Sequence, residues 1–332
     1  MRRTIVDPRF PARLRELRRA RGLSLRDLSR VTYVSKSLLS EWENGHRHPT
    51  AEAAALLDRA LDAAGELSGM VRDVGPGEGD EADRLRYVLA HPMRLDTTAV
   101  DTLADLLAVQ RRLDDECTPH ALLPWVEDQH RVVTALARSA RGPHATRLAE
   151  IAAEWTQFVG WLHAEARHDA TAVRMLGAAA VEADAVGSGV LAAQVENFRG
   201  YLERQRGNPR GIVRHFLAAY HTPGATGLQR AGDAIQAAHG LALLDDRPAA
   251  ERLLGEATDL IEQCADEPAP RAAYWLSPTY HLLNLGLAYL GLGDSRKAAD
   301  HLRAGWDALP QPWRGAEWAR EYREALASAV RQ

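Results

Sequence analysis

The amino-acid sequence predicts an all-α protein, and three observations lead to this fold class. Alanine and arginine, which favour helix, are abundant throughout the 332 residues. Runs of valine, isoleucine and threonine, which would indicate strands, are nearly absent. Apolar residues recur at helical spacing, as in "TAVDTLADLLAVQRRL" at residues 98–113. A chain of this length can form two domains with well-buried cores.

The charge of the chain is unevenly distributed. The formal net charge is −4, yet residues 1–48 carry twelve Lys/Arg against five Asp/Glu, a balance of +7 that leaves −11 for the remainder. A basic end on an acidic body favours a polyanion partner at that end alone. A solvated arginine-rich helix is the alternative explanation, and charge alone does not separate the two.

Composition also indicates where the protein works. Cys117 and Cys264 are far apart and lack metal-ligand spacing, which fits a reducing cytoplasm. The start "MRRTIVDPRF" has no apolar stretch behind it, and no window approaches 18 uninterrupted apolar residues, so neither a signal peptide nor a membrane partner is expected. The arginine-rich, lysine-poor composition is typical of a high-GC genome such as that of an actinobacterium.

Two helices are predicted at the start of the chain. Pro11 suits the first turn of a helix that Gly22 ends. Ser24 and Asp27 have the spacing of a capping box, with the shorter acid in the usual glutamate position, and so begin a second helix. The predicted buried face of the second helix consists of Leu25, Leu28 and Val31.

Two more helices follow. Ser35 is a natural N-cap for a third helix from Lys36 to about Asn44, which Gly45 ends. Thr50 caps a fourth, rich in alanine and leucine. The predicted apolar stripe of the third helix consists of Leu38, Leu39 and Trp42.

Two short helices, a turn and a third helix with a polar outer face match a helix-turn-helix. Residues 13–61, with "LRELRRARGLSLRDLS" and "VSKSLLSEWENGHRHP", resemble the lambda-repressor-like, XRE-type family of bacterial regulators. The resemblance implies a five-helix DNA-binding domain over residues 1–72. One departure is Tyr33 in the turn, where the family has a small residue or glycine.

The resemblance also implies which residues contact DNA, because the third helix of this family lies in the major groove. Lys36 is expected to donate to guanine, Ser37 to serve several bases, and Glu41 to accept from cytosine. The other candidates lie beside these or at helix ends, where phosphates bind; a solvated helix surface is the alternative for each. The complete predicted set is Ser24, Ser35, Lys36, Ser37, Ser40, Glu41, Asn44 and Arg47.

The family further implies an ion pair between an arginine of the first helix and the glutamate before the closing small residue. In this chain the pair falls on Arg18 and Glu43. A partly buried bidentate pair would fix the angle between the two helices and leave the remaining guanidinium N–H groups toward phosphate. We expect these two residues to stabilise the fold and to affect DNA only indirectly.

The second half of the chain is predicted to be a helical repeat. An acidic, glycine-rich linker is expected at residues 73–83, and a helical segment at 84–150 that stacks on the repeats. Within residues 151–332, pairs of small or apolar residues twelve apart recur with periods of 40, 38 and 48. The segment "LLNLGLAYLGLGDSRKAADHLRAGWDALP" resembles a tetratricopeptide repeat, which implies an array of paired helices with a C-terminal capping helix. The recurring pairs are Gly160/Ala172, Gly200/Ile212, Ala238/Ala250 and Gly286/Ala298.

Such arrays present a groove lined by the first helix of each repeat. Polar and aromatic residues at that face suit a peptide, a small molecule or a small protein. The alternative is that the aromatic residues are packing residues and the groove is solvated or filled by neighbouring helices. The predicted groove residues are Gln157, Trp161, Gln194, Asn197, Tyr201, Arg204 and His239.

The sequence therefore indicates a regulator rather than an enzyme. It contains no HExxH, phosphate-binding loop, GxSxG or Cys/His cluster, so no catalytic residue, cofactor or metal is expected. The prediction is a cytoplasmic, nucleoid-associated transcription regulator that binds a palindromic operator as a homodimer. Its repeat domain would mediate dimerisation and sense a peptide or small molecule. The alternatives are a ligand-independent regulator, or a scaffold, whose array binds a partner protein.

Overall fold

A computed structural model of the chain describes residues 3–74, 84–85, 87–89, 91 and 95–331. Contacts divide the chain into two compact units, Met1–Ala90 and His91–Gln332. The predicted all-α class is confirmed, with one small exception in the first unit. The predicted linker at 73–83 stays a prediction, since residues 75–83 lie outside the described ranges.

Residues 3–74 of the N-terminal unit form five helices, of which the first four are those the sequence predicts. Ser24 and Thr50 cap their helices as expected, and the Ser24–Asp27 capping box is complete. Leu14, Leu28 and Leu57 are fully buried in its core, together with Phe10. The helices are α1 (Phe10–Ala20), α2 (Leu25–Thr32), α3 (Lys36–Glu43), α4 (Ala51–Leu61) and the short α5 (Glu66–Gly69).

The exception is a two-stranded antiparallel ribbon. Strand β1 (Arg3–Val6) pairs with β2 (Val71–Val74), and Val6 lies opposite Val71. Residues 73 and 74, predicted to begin the linker, therefore belong to β2. Each strand has only four residues, too few for a period-two pattern to stand out from the surrounding sequence.

The turn between α2 and α3 differs from the sequence-based expectation in two ways. Val31 is 55% exposed, whereas the neighbouring Thr32 is buried and its hydroxyl donates to the Leu28 carbonyl over 2.7 Å. Tyr33 ends α2 with a φ of 56°, in the left-handed region, and its side chain is 94% exposed. A glycine would adopt this conformation without the steric cost that Cβ imposes, which is why Tyr33 is an unusual residue in such a turn.

The C-terminal unit consists of consecutive helices. The first two, α6 and α7, fall within the segment predicted to stack on the repeats, and α7 packs on α8. Four helix pairs follow, and α16 packs on α15 at the predicted capping position. The helices are α6 (Thr97–Leu113), α7 (Pro119–Ser139), α8 (Ala145–Glu165), α9 (Asp169–Ala185), α10 (Gly189–Gln205), α11 (Pro209–Tyr220), α12 (Gly227–Ala242), α13 (Arg247–Gln263), α14 (Pro278–Gly291), α15 (Ser295–Ala308) and α16 (Arg320–Arg331).

Close packing within the pairs explains the spacing found in the sequence. The first helix of each pair also contacts the first helix of the next, so α8, α10, α12 and α14 lie side by side. A Cβ added at Gly160 would come within 2.8 Å of the Leu176 side chain, and one added at Gly200 within 2.7 Å of the Phe216 side chain. Leu176 and Phe216 each lie four residues after the second member of the pair. The glycines are therefore needed to accommodate these side chains.

Two segments interrupt the regular pairs. Residues 264–277 connect α13 to α14 and include a 3₁₀ turn at Arg271–Ala273. Residues 309–319 connect α15 to α16 and include two more, Pro312–Gly315 and Glu317–Ala319. Both segments contribute to the cavity described below. Among the helices of the described ranges, none has the length and apolar character required to cross a bilayer.

Candidate nucleic-acid interface and candidate ligand cavity

Helix α3 is fixed by its inner face and leaves its first turn free. Leu39 and Trp42 are buried in the N-terminal core, and α3 contacts both α1 and α2. The Ser35 hydroxyl accepts from the Leu38 N–H over 3.3 Å and so caps the helix. Lys36 and Ser37 are consequently exposed at the N-terminal end of a rigidly packed helix, the geometry required to present side chains to a groove.

Lys36 has no carboxylate partner for its ammonium group among the residues that the structure describes. Ser37 lies 3.2 Å from Ser35, hydroxyl to hydroxyl, and Ser40 and Glu41 are partly exposed on the next turn. Glu41 and Arg47 form an ion pair of 3.7 Å, and Arg47 remains 69% exposed. Such an exposed pair stabilises weakly, so little free energy is needed to separate the two side chains.

Asn44 and Ser24 are exposed but already hydrogen bonded. Arg15 donates to the Asn44 side-chain oxygen over 2.8 Å, and the Asn44 amide donates to the Ser40 carbonyl over 2.8 Å. The Ser24 hydroxyl is hydrogen bonded to Asp27 in the capping box. Asn44 therefore orders the end of α3, and Arg15, which the sequence analysis did not select, connects this end to α1.

Arg18 and Glu43 are in direct contact. The guanidinium donates to both carboxylate oxygens, with Nε to Oε1 at 2.6 Å and Nη2 to Oε2 at 2.9 Å. Nη1 donates to the Leu23 carbonyl over 2.7 Å rather than pointing toward phosphate, as the sequence suggested. The Glu43 side chain is only 4% exposed, and its hydrogen bonds raise the pKa of Arg18. This pair ties α1 to the end of α3.

The structure places only part of the predicted groove around one cavity. Trp161, Asn197, Tyr201 and Arg204 line it. The Asn197 amide is also engaged, since it donates to Asp233 over 2.6 Å. The centre of a water-sized sphere can occupy ≈ 60 Å³ of the cavity.

The other three predicted groove residues are buried between helices and do not line this cavity. Gln157 is 1% exposed and donates to the Leu191 carbonyl over 3.2 Å. Gln194 is 2% exposed. Burial lowers the pKa of His239 to about 3, so this side chain is neutral. Residues chosen by helical spacing thus divide into those that face the cavity and those that pack against the next helix.

Aromatic side chains form a closed series of contacts around the cavity. Adjacent ring centroids are 4.7 to 6.3 Å apart. The guanidinium of Arg204 completes the series, 5.5 Å from the ring of Tyr201 and 5.9 Å from that of Tyr322. We call this set the aromatic cluster. In order of contact it consists of Trp161, Phe198, Trp275, Tyr274, Trp313, Trp318, Tyr322, Arg204 and Tyr201.

Two carboxyls at the end of α6 complete the wall. Asp114 accepts from the Trp161 indole N–H over 2.7 Å, and the Tyr274 hydroxyl lies within hydrogen-bonding distance of Asp115. Burial raises the pKa of Asp114 to about 7 and that of Asp115 to about 6. Glu165 interacts with Asp114, and burial raises its pKa well above the usual value. No Lys or Arg of the described ranges pairs with Asp114 or Asp115, so this part of the wall has carboxyls without a neutralising cation.

Sequence reasoning missed most of this wall. Asp114 and Asp115 lie outside the predicted array, and Tyr274 and Trp313 lie in the two connecting segments. Four of the eight tryptophans of the chain line the cavity, and three of them lie beyond residue 270. This clustering of tryptophan is the one signal in the sequence that could have drawn attention to the segments.

No group of His, Cys, Asp or Glu suited to a metal ion occurs within the described ranges. No sequence match was found among curated proteins. One solved structure, Bacillus thuringiensis PlcR in complex with the peptide PapR7 and DNA, is similar at 12% identity and a TM-score of 0.39, over 96% of this chain and 98% of that one. At that score the likeness carries no argument about function.

The family comparison is more direct. Residues 14–64 match the helix-turn-helix family, a range that begins at the core residue Leu14 and ends just after α4. It contains the exposed first turn of α3 and the Arg18–Glu43 pair. Residues 14–64 are a helix-turn-helix domain of the XRE type.

Proposed function

We propose that the protein is a transcription regulator that binds an operator through α3 and senses a ligand in the cavity of the C-terminal unit. The observation that carries the DNA-binding part is the exposed Lys36, which pairs with no carboxylate of the described residues and lies on the first turn of a helix held by Leu39 and Trp42. A lysine there reaches base edges or phosphates, and the basic balance of the N-terminal residues favours a polyanion.

The C-terminal unit supports a sensor because its cavity combines aromatic walls with a few polar groups. Cavities of this composition bind small molecules or the side chains of peptides. A homodimer on a palindromic operator follows from the small number of base pairs that one such domain covers. We place this regulator in the cytoplasm, associated with the nucleoid. The competing proposals are a ligand-independent regulator and a scaffold, whose helical unit binds a partner protein.

Binding to its own promoter at graded salt tests the DNA-binding part. We expect an affinity that falls steeply as salt rises, and a weaker affinity for the Lys36→Ala variant. Lys297→Ala is the matched control, because Lys297 is the only other lysine of the chain and lies on α15. Absence of DNA binding at low salt would exclude both regulator proposals and leave the scaffold.

The way in which Lys36→Ala loses DNA affinity distinguishes a phosphate contact of Lys36 from a base contact. A phosphate contact predicts a uniform loss across sequences and a salt slope reduced by about 0.9. A base contact predicts a loss confined to one position of the operator, by roughly 1–3 kcal/mol. Anisotropy titrations with single-base operator variants separate the two outcomes, and equal affinity of Lys36→Ala and the parent protein would remove Lys36 from the interface.

A further inference from the structure

We propose that the cavity binds a ligand through an ammonium group carried on a short apolar chain. This inference rests on the proposed sensor function, and it names the class of ligand that the sensor takes. Three features of the cavity favour such a ligand: its aromatic cluster, the balance of charge in its wall, and the carboxyls of Asp114 and Asp115.

The aromatic cluster favours a cationic ligand. Faces of tryptophan and tyrosine attract ammonium groups electrostatically, and this attraction is stronger where water is excluded. Trp161 and Tyr201 lie beside Asp114, because the Trp161 indole donates to Asp114 over 2.7 Å and its ring packs 4.7 Å from that of Tyr201. An ammonium group beside Asp114 would therefore lie against aromatic surface.

The two arginines of the wall do not call for an anionic ligand, since each has its own carboxylate. Arg111 pairs with Glu154 over 2.7 Å. Arg204 pairs with Glu321 over 3.1 Å and also donates to Gln236 over 2.9 Å. Their charges are compensated within the protein.

Asp114 and Asp115 lack such compensation: no Lys or Arg pairs with either carboxyl in the part of the chain that the structure describes. Asp114 is only 6% exposed and Glu165 only 3%, and a hydrogen bond joins the two carboxyls, so the proton that they share accounts for the oxygens that have no other donor. With one shared proton the pair keeps a single negative charge, and buried charges in proteins are normally paired. An ammonium group in the cavity would supply the positive charge that this wall lacks.

The size of the cavity limits the ligand. A volume of ≈ 60 Å³ open to water centres holds roughly five water molecules, since each needs about 10–15 Å³. A chain of about five non-hydrogen atoms fits without movement of the walls. The ammonium group could belong to a free amine or to the N-terminus of a peptide, and both present the same chemistry.

A matched series of probes tests the proposal on the full chain. n-Butylamine, 1-butanol and butyrate have the same length and differ in charge. Binding is measured by calorimetry and by tryptophan fluorescence, because four tryptophans line the cavity. We expect n-butylamine to bind at least about tenfold more tightly than 1-butanol, and butyrate not to bind. Equal affinity of the amine and the alcohol, or preference for butyrate, would overturn the proposal.

Variants identify the groups responsible. Asp114→Asn and Asp115→Asn should each weaken binding of the amine about tenfold and leave the alcohol unchanged, whereas the exposed Asp184→Asn is the control. Unchanged amine binding in both variants would refute the role of the wall. If Asp114→Asn does not fold, as judged by circular dichroism, Asp115→Asn and the probe series on the parent protein still decide.

A second comparison identifies the source of the ammonium group. The peptide Leu-Gly-Gly is tested with a free and with an acetylated N-terminus; loss of binding on acetylation indicates a peptide amine, whereas a free amine alone is indicated if neither peptide competes with n-butylamine. DNA binding is measured in parallel. Amine binding without any effect on DNA binding would contradict the sensor function and leave this inference intact. A DNA affinity that changes with another ligand, without any amine binding, would contradict this inference and leave the sensor function intact.

Discussion

At the scale of single residues, Arg18 and Glu43 illustrate how one contact sets the geometry of the DNA-binding domain. The guanidinium and the carboxylate are both shielded from solvent, at 12% and 4% exposure, and they join α1 to the last residue of α3. Because α3 carries the candidate base contacts at its other end, a small change in its angle would displace Lys36. We therefore expect the pair to affect DNA binding without contacting DNA.

We expect Arg18→Ala to destabilise the N-terminal unit by roughly 3 kcal/mol, because the buried Glu43 would lose its bidentate partner and keep only Arg15, whose Nε lies 3.5 Å from Glu43 Oε2. The measurement is hydrogen exchange of the amides of α1 to α4, which reports this unit alone. The exposed neighbour Arg19→Ala serves as control, with an expected change within about 0.5 kcal/mol. The double variant Arg18→Met, Glu43→Leu should recover most of the loss; a double variant as unstable as Arg18→Ala would contradict this account.

Local capping chemistry was predictable from the sequence, and the side chains at the turn were not. Ser24 and Thr50 cap their helices because a hydroxyl just before a helix accepts from a backbone N–H of the first turn that has no partner within the helix. Val31 was expected to be buried, yet in an eight-residue helix the buried face is decided by the packing of α3 and α4. The buried Thr32 satisfies its hydroxyl on Leu28, a contact that hydrophobicity does not reveal.

Asp233 provides a prediction about pH. Burial raises its pKa to about 8, above the usual 3.8, so the folded state binds this proton more tightly than the unfolded state does. Its contribution to stability is complete below about pH 4 and is lost as the pH rises toward 8. We therefore expect Asp233→Asn, which is always neutral and keeps an oxygen for Asn197, to become more stable than the parent protein at alkaline pH.

The measurement is urea denaturation between about pH 6.5 and 8.5, where one such group changes the free energy of unfolding by roughly 1 kcal/mol per pH unit. This range avoids His239 and His281, whose pKa values burial lowers to about 3 and about 4 and whose effects fall at more acidic pH. Exposed Asp184→Asn is the control. Parallel pH profiles for Asp233→Asn and the parent protein would show that Asp233 has no such role.

At the scale of helices, the glycines of the repeat explain why the periodic pattern was visible in the sequence. A Cβ on Gly286 would collide with the Leu302 side chain and lie 3.1 Å from the Leu302 backbone nitrogen. The close approach of α14 and α15 therefore requires glycine there. The same demand at Gly160 and Gly200 is what made the pairs recognisable.

Gly286→Ala should destabilise the C-terminal unit by roughly 1–3 kcal/mol, since backbone atoms cannot move aside as a flexible side chain can. Gly255→Ala is a matched control, because Gly255 is also helical but has no atom within 4 Å of an added Cβ. There the substitution should stabilise by up to about 1 kcal/mol through helix propensity. Thermal unfolding followed by circular dichroism compares the two, and equal effects would mean that packing of α14 on α15 tolerates the added methyl group.

The cavity could not be predicted because its wall joins elements that are distant in the chain. The Tyr274 hydroxyl donates to Asp115, which lies far earlier in the chain. The ring centroid of Trp313, in the next connecting segment, lies 6.3 Å from that of Tyr274. Helical spacing identified four of the six residues of α8 and α10 that line the cavity and missed Phe158 and Phe198. Helical spacing has no bearing on irregular segments, so it gives no indication that residues 264–277 line a cavity.

At the scale of the whole molecule, the separation of charge suits a protein with one DNA-binding end. The first 48 residues carry +7 and the remainder −11. Phosphates attract the former and repel the latter, so association with DNA is directed to the helix-turn-helix domain. The division could be read from the sequence because formal charge requires no knowledge of contacts. The number of copies that bind one operator requires a separate test.

We expect two copies to bind one palindromic operator, because a two-fold symmetric pair presents α3 to half-sites about one helical turn, 34–36 Å, apart. Inserting about 5 base pairs between the half-sites rotates one by half a turn and should abolish joint binding, whereas about 10 base pairs restores the common face of the duplex. Sedimentation of the protein with the labelled operator gives the stoichiometry, and anisotropy gives the affinity. A single half-site bound as tightly as the full operator, with one copy per duplex, would show that the protein acts as a monomer.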